Sequence, residues 1–165
     1  MKRALPAAAF LATLAFTLPA LAAAPILAKL AGDWTGRGTY KESAQAPGER
    51  IFCKITNTLA QNGNALQQSG RCAITSGSSA ISGLIQSNGG GSYSGSLSSL
   101  ASDGPAQFTG TGSGGRLTLS LSFVDGVTHQ PAKSVTTMTL SGNGYRLLST
   151  RKDGGWTPTD ITFSK

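Results

Sequence analysis

Few side chains in this chain have the chemistry for catalysis or metal binding. Among 165 residues there are two cysteines, Cys53 and Cys72, and a single histidine, His129. That histidine sits in the loop-like stretch Thr128-His129-Gln130-Pro131. It lacks the other strong ligands a zinc site needs. No base, nucleophile or carboxylate cluster accompanies it in the sequence. The seven carboxylates are scattered, mostly beside turn glycines, where aspartate caps the local backbone. Gly110-Thr111-Gly112-Ser113-Gly114-Gly115 has the spacing of a dinucleotide-binding loop, which works only between a strand and a helix N-terminus. Here it leads into the alternation Leu117, Leu119, Leu121, Phe123, so it reads as a β-turn. Gly91-Ser92-Tyr93-Ser94-Gly95 lacks the spacing of a nucleophile elbow. These residues predict a protein that is not an enzyme, with no catalytic residues, no cofactor and no metal.

The cysteines carry more information. Asn62-Gly63 is a strong signal for a two-residue hairpin turn, because both central residues need positive φ. With that turn as the tip, facing residues have numbers that sum to 125. Cys53 then faces Cys72, Ile51 faces Ile74 and Leu59 faces Leu66, all on one face. A one-residue slip would send each set to opposite faces. The register predicts a Cys53–Cys72 disulfide across adjacent antiparallel strands. A two-residue turn puts that pair at the wide, hydrogen-bonded position, with Cα atoms about 5.5 Å apart.

A disulfide implies an oxidising compartment, and the start of the chain supplies a route to one. Residues 1–22 have the three parts of a secretory signal: Lys2 and Arg3, an apolar stretch over 7–18, and the small-residue site Ala20-Leu21-Ala22. The apolar stretch is too short for a membrane anchor, and nothing later is long and apolar enough to span. The reading is a soluble periplasmic or secreted protein with no transmembrane segment. Residues 23–29 are expected to be a flexible mature N-terminus, and residues 30–165 a single domain. Without Lys2 and Arg3, twelve basic and seven acidic residues leave a net charge of +5.

Apolar residues recur with period two between turn signals, which predicts an all-β domain of nine or ten short strands. Trp34, Gly36, Gly38 and Tyr40 share one face of the first strand, expected over 33–42. Later strands are expected over 80–86, 92–98, 107–112, 117–123, 135–140, 145–151 and 157–163. Asp103-Gly104-Pro105 and Asp153-Gly154-Gly155 are among the expected turns, and 25–30 has room for one short helical turn. Gly36, Gly38, Gly83, Gly95 and Gly110 fall on faces shared with aromatic or branched residues. Strand glycines mark bends or close backbone approach, and curling a sheet closed requires such kinks. The expected fold is an antiparallel meander closed into a small barrel of eight to ten strands.

Leu30-Ala31-Gly32-Asp33-Trp34 resembles the Gly-x-Trp opening of the calycins, the superfamily of lipocalin-like and avidin-like barrels. The resemblance implies a barrel whose Trp34 closes one end beneath a basic side chain from a late strand, Arg146 or Arg151. Leu30, Gly32, Trp34, Cys53, Ile55, Leu66, Gly70 and Cys72 also resemble the outline of the small exported inhibitors of bacterial metalloproteases. That resemblance implies an inhibitory N-terminal segment, Ala23, Ala24, Pro25, Ile26 and Leu27. The Gly32, Trp34, Gly36, Gly38 start is similar, too, to exported proteobacterial proteins with no known activity.

Two further features bear on partners. Arg37, Lys41, Lys54 and Arg71 fall on outward faces near Arg50, and Lys54 opposes Arg71. They either keep a Ser/Gly-rich surface soluble or meet an anionic envelope component; nucleic acid is not expected in this compartment. Asn57 opposes Gln68 on the cysteine face. The two amides either pair at a wet barrel mouth or orient a small ligand. The expected function is an exported, monomeric binding protein for a small apolar or amphipathic ligand or an envelope component. Tyr40, Asn57, Gln68, Tyr93 and Phe108 would line the ligand site, with Trp34 closing the barrel. A periplasmic protease inhibitor, and a solid barrel with a structural or surface role, are the alternatives.

Overall fold

A computed structural model describes residues 25–165. The signal-like residues 1–22, with Ala23 and Ala24, lie outside the described residues. A short helix, α1 (Pro25–Leu30), precedes ten strands: β1 (Gly32–Tyr40), β2 (Glu49–Ala60), β3 (Ala65–Ile74), β4 (Gly77–Gly89) and β5 (Ser92–Ser98), then β6 (Ser102–Ser113), β7 (Arg116–Asp125), β8 (Pro131–Ser141), β9 (Gly144–Arg151) and β10 (Thr159–Ser164). Each strand pairs antiparallel with the next, and β1 closes on β10 from Thr35↔Ser164 to Tyr40↔Thr159. The result is a closed ten-stranded meander barrel without a free sheet edge. No described helix is long and apolar enough to cross a membrane.

The hairpin register is the one that summing to 125 demands, with Cys53↔Cys72, Asn57↔Gln68 and Lys54↔Arg71. Cys53 and Cys72 are bridged. The turn differs from the expected one. The last pair is Ala60↔Ala65, so four residues make the loop, with Gln61, Asn62 and Gly63 all at positive φ. Lengthening the loop by one residue on each side keeps the register and inverts the hydrogen-bond phase. The cysteines therefore occupy the narrow position, with Cα atoms 4.1 Å apart. Leu59, expected on the core face, is 40% exposed beside this loop, whereas its partner Leu66 is buried.

Asp103-Gly104-Pro105 is no turn. It lies within β6, where the register against β7 shifts between Asp103 and Gln107. Proline has no N–H to give a ladder, and a bulge is where a strand accommodates it. The strand glycines draw the walls together. At Gly95 (φ 155°) an added Cβ would fall on the Leu84 carbonyl of the neighbouring strand. At Gly36 it would fall on the Phe163 ring, which stacks on Tyr145 with centroids 4.6 Å apart.

One end of the barrel is packed solid. Leu27, Leu30, Leu66, Leu117 and Leu119 are almost wholly buried there, and Trp34 meets Tyr145 edge-on at 4.9 Å. Helix α1 forms the plug. The short helical turn expected over 25–30 is present, but residues 25–29 are not the flexible N-terminus expected, because Ile26 and Leu27 are inserted among the barrel residues. Apolar side chains at 26, 27 and 30 give the helix a buried stripe, and that burial outweighs the entropy a loose segment would keep. We predict that Leu27→Ala lowers stability by about 3 kcal/mol, the usual cost of emptying a buried leucine site. Deleting residues 23–28 should lower the midpoint of thermal unfolding rather than leave it unchanged.

Candidate functional site

The plugged end is held by one carbonyl. The Leu30 oxygen accepts hydrogen bonds from Trp34 Nε1 and from Asn57 Nδ2, both at 2.8 Å. Asn57 Oδ1 in turn accepts from Gln68 Nε2 at 3.0 Å. The two amides thus pair with each other, but in the buried floor rather than at a wet mouth, and Asn57 ties the end of α1 to β2. Burial raises the pKa of the Tyr145 phenol above this floor, and the Asn57 amide works against it.

Above the floor the barrel is hollow. A cavity of about 120 Å³ runs from Gln68, Tyr145 and Phe163 to the opposite end. Its β2–β4 wall is apolar, with Ile51, Ile55 and Ile81 beside the disulfide. The wall from β8 and β9 carries Ser134, Thr136 and Ser149, and Thr136 Oγ1 donates to Ser149 Oγ at 3.1 Å. The mouth is bordered by Tyr40, Lys41, Glu42, Leu100, Val127 and Trp156. Of the residues expected to line a ligand site, Tyr40 and Gln68 border this cavity. Asn57 lies in the floor, and Tyr93 and Phe108 are buried in the core without bordering the cavity.

Neither expected arginine covers Trp34. The cation over its indole is Lys165 Nζ, 4.9 Å from the ring centroid. Arg146 projects outward from β9 and forms a bidentate pair with Asp160 at 2.8 and 2.6 Å. Arg151 points inward but sits one strand length away, at the mouth, because β9 runs from the plugged end to the open one. Pro25, Ile26 and Leu27, expected as part of an inhibitory segment, belong to the α1 plug, with Ile26 and Leu27 buried. His129 is an exposed neighbour of Asp103 at 3.3 Å, and no group of metal-ligating side chains occurs among the described residues.

The mouth is organised around Arg151, whose side chain is only 9% exposed. Nη1 donates to Asp125 at 2.5 Å, while Nε and Nη2 form a fork on Asp153 at 2.8 and 2.7 Å. Phe123 and Trp156 lie 5.3 and 5.6 Å from the guanidinium carbon. Trp156 O accepts the Arg151 backbone N–H at 2.9 Å, pinning the 152–158 loop beside the opening. Nothing in sequence spacing pairs Arg151 with Asp125; inward alternation on two strands meeting through β8 does so. Asp125 also accepts from Val127 N, Thr128 N and Thr128 Oγ1. Burial pushes its carboxyl up, but the Thr128 N–H, Arg151 and the other donors bring it down to about 2. Burial first, then Glu42, Asp125 and Glu49, push the Tyr40 phenol up to about 12.

No protein-family model and no curated protein matches this chain.

The Asp125 cluster generates an acid-stability prediction. Its folded pKa lies below the unfolded value of about 3.9. The stabilisation is therefore complete above about pH 4 and fades as pH falls toward 2, a loss of roughly 2 kcal/mol. Asp125→Asn should cost about 3 kcal/mol at neutral pH, because it removes a buried partner of Arg151. Chemical denaturation at stepped pH should show a shallower acid loss in Asp125→Asn than in the unaltered protein.

Proposed function

We propose that this is an exported, calycin-like, non-enzymatic binding protein that holds a small amphipathic molecule inside its barrel. The observation that carries the reading is the cavity itself: about 120 Å³, walled by isoleucines on one side and hydroxyls on the other, and open at one end only. Pockets for small molecules combine mostly apolar walls with a few polar groups that set orientation. A barrel made only for rigidity would fill both halves, as its plugged half is filled. Export is supported by the signal-like residues 1–22 together with a disulfide closing a single hairpin.

Phenylnaphthylamine, a neutral apolar fluorophore, tests the reading directly. We expect saturable binding at one site per chain, with the enhanced emission of a dye removed from water. Ile81→Trp adds bulk to the cavity wall and should abolish that binding while leaving the disulfide and the strand signature of circular dichroism intact. Gly95 is unsuitable for filling the space, because an added side chain meets the neighbouring backbone rather than the cavity. Absence of saturable dye binding in the folded protein would refute the proposal.

A further inference from the structure

We infer that the ligand carries a carboxylate, and that it binds by taking the seat of Asp153 on the Arg151 guanidinium. The inference rests on the cavity-binding reading and adds the chemical class of the ligand. Among the described residues, Arg151 is the one cationic side chain that borders the cavity and is nine-tenths buried. Its planar fork matches a carboxylate bidentately. The two aspartates that occupy it differ in kind. Asp125 is buried and fixed by three donors from its own turn, so it stays. Asp153 is 59% exposed and sits on a loop followed by Gly154 and Gly155, both at positive φ.

Of the two carboxylates, exposed Asp153 is the replaceable one, because on leaving the guanidinium it is solvated, whereas buried Asp125 would not be. A ligand carboxylate taking its place restores both hydrogen bonds to Nε and Nη2. The exchange leaves the charge of the cluster unchanged, so no buried charge is uncovered. The 152–158 loop stays seated through the Arg151 N–H to Trp156 O and Lys152 N–H to Lys133 O hydrogen bonds, so Trp156 keeps its place at the mouth. Asp153 is then an internal competitor for the carboxylate seat, with no part in holding an uncharged ligand. The alkyl part of the ligand follows the apolar wall toward Ile81, and the β8–β9 hydroxyls accept any polar substituent along its length.

A matched series tests this on the purified protein by isothermal titration: octanoate, octanol and octylammonium, which share a tail and differ in head group. We expect octanoate to bind about tenfold tighter than octanol, and octylammonium weakest. Arg151→Met should erase that preference, but it leaves Asp125 buried without its cation and can compromise folding. Asp153→Ala is the independent test, since Asp153 is exposed. Removing the internal competitor should strengthen octanoate binding about fivefold and leave octanol unchanged. Equal affinities for octanoate and octanol, tighter binding of octylammonium, or an Asp153→Ala protein with unchanged or weaker octanoate binding would each overturn the carboxylate inference while leaving the cavity reading in place. Binding of none of the three would overturn both.

Discussion

Closure of β1 onto β10 is the constraint on which the rest of this structure depends. Six residue pairs join the first strand to the last, across nearly the whole sequence. Once the sheet is closed, its inward face has no exit except at the two ends, so each end must be plugged or left open. The chain plugs the end where β1 begins, because α1 is covalently attached there and carries Ile26, Leu27 and Leu30. The C-terminal residue Lys165 arrives at the same end through β10 and lies over Trp34. The opposite end collects the longer connections, 41–48 and 152–158, and remains the mouth.

Closure also decides where polar groups can be buried. Among the described residues, the buried amides and the buried charges form two separate clusters, one at each limit of the cavity. At the floor, Asn57, Gln68 and the Leu30 carbonyl satisfy one another in a chain of neutral hydrogen bonds. At the mouth, Arg151 is neutralised by two carboxylates and flanked by two aromatic rings. A buried charge without such partners would cost several kcal/mol. Neutral amides suit the floor, where both side chains are buried. Charge suits the mouth, where Asp153 is exposed to solvent.

The sequence makes the local rules legible and leaves the long-range ones hidden. Asn62-Gly63 and the alternation around it determine a register that places Cys53 against Cys72, and a loop four residues long preserves that register because the added residues are symmetric about the tip. The period-two pattern from Leu117 to Phe123 marks β7 equally well. Trp34 is legible as a buried end residue, but its cation is not. Lys165 lies 131 positions away, and only the direction of β10 brings it to the right end. The inward reach of Arg151 is legible from β9 alternation, whereas its distance from Trp34 depends on which end β9 begins at. The docking of α1 escapes local reasoning because a six-residue amphipathic segment is stable only against the surface it plugs.

The cavity depends on a distinction among small residues. Glycines on the inward face can leave space or let the walls approach, and composition alone does not separate the two. In this barrel they let the walls approach: at Gly38, Gly70, Gly95 and Gly110 the place of a side chain is taken by the backbone of the adjacent strand. Space is left instead beside the hydroxyl residues Ser134, Thr136 and Ser149, whose short side chains border the cavity. Strand glycine thus marks curvature, and inward serine or threonine marks volume. The hydroxyl positions lie together on β8 and β9, directly below Arg151, so the room for a ligand and the charge that would hold its head group belong to the same wall.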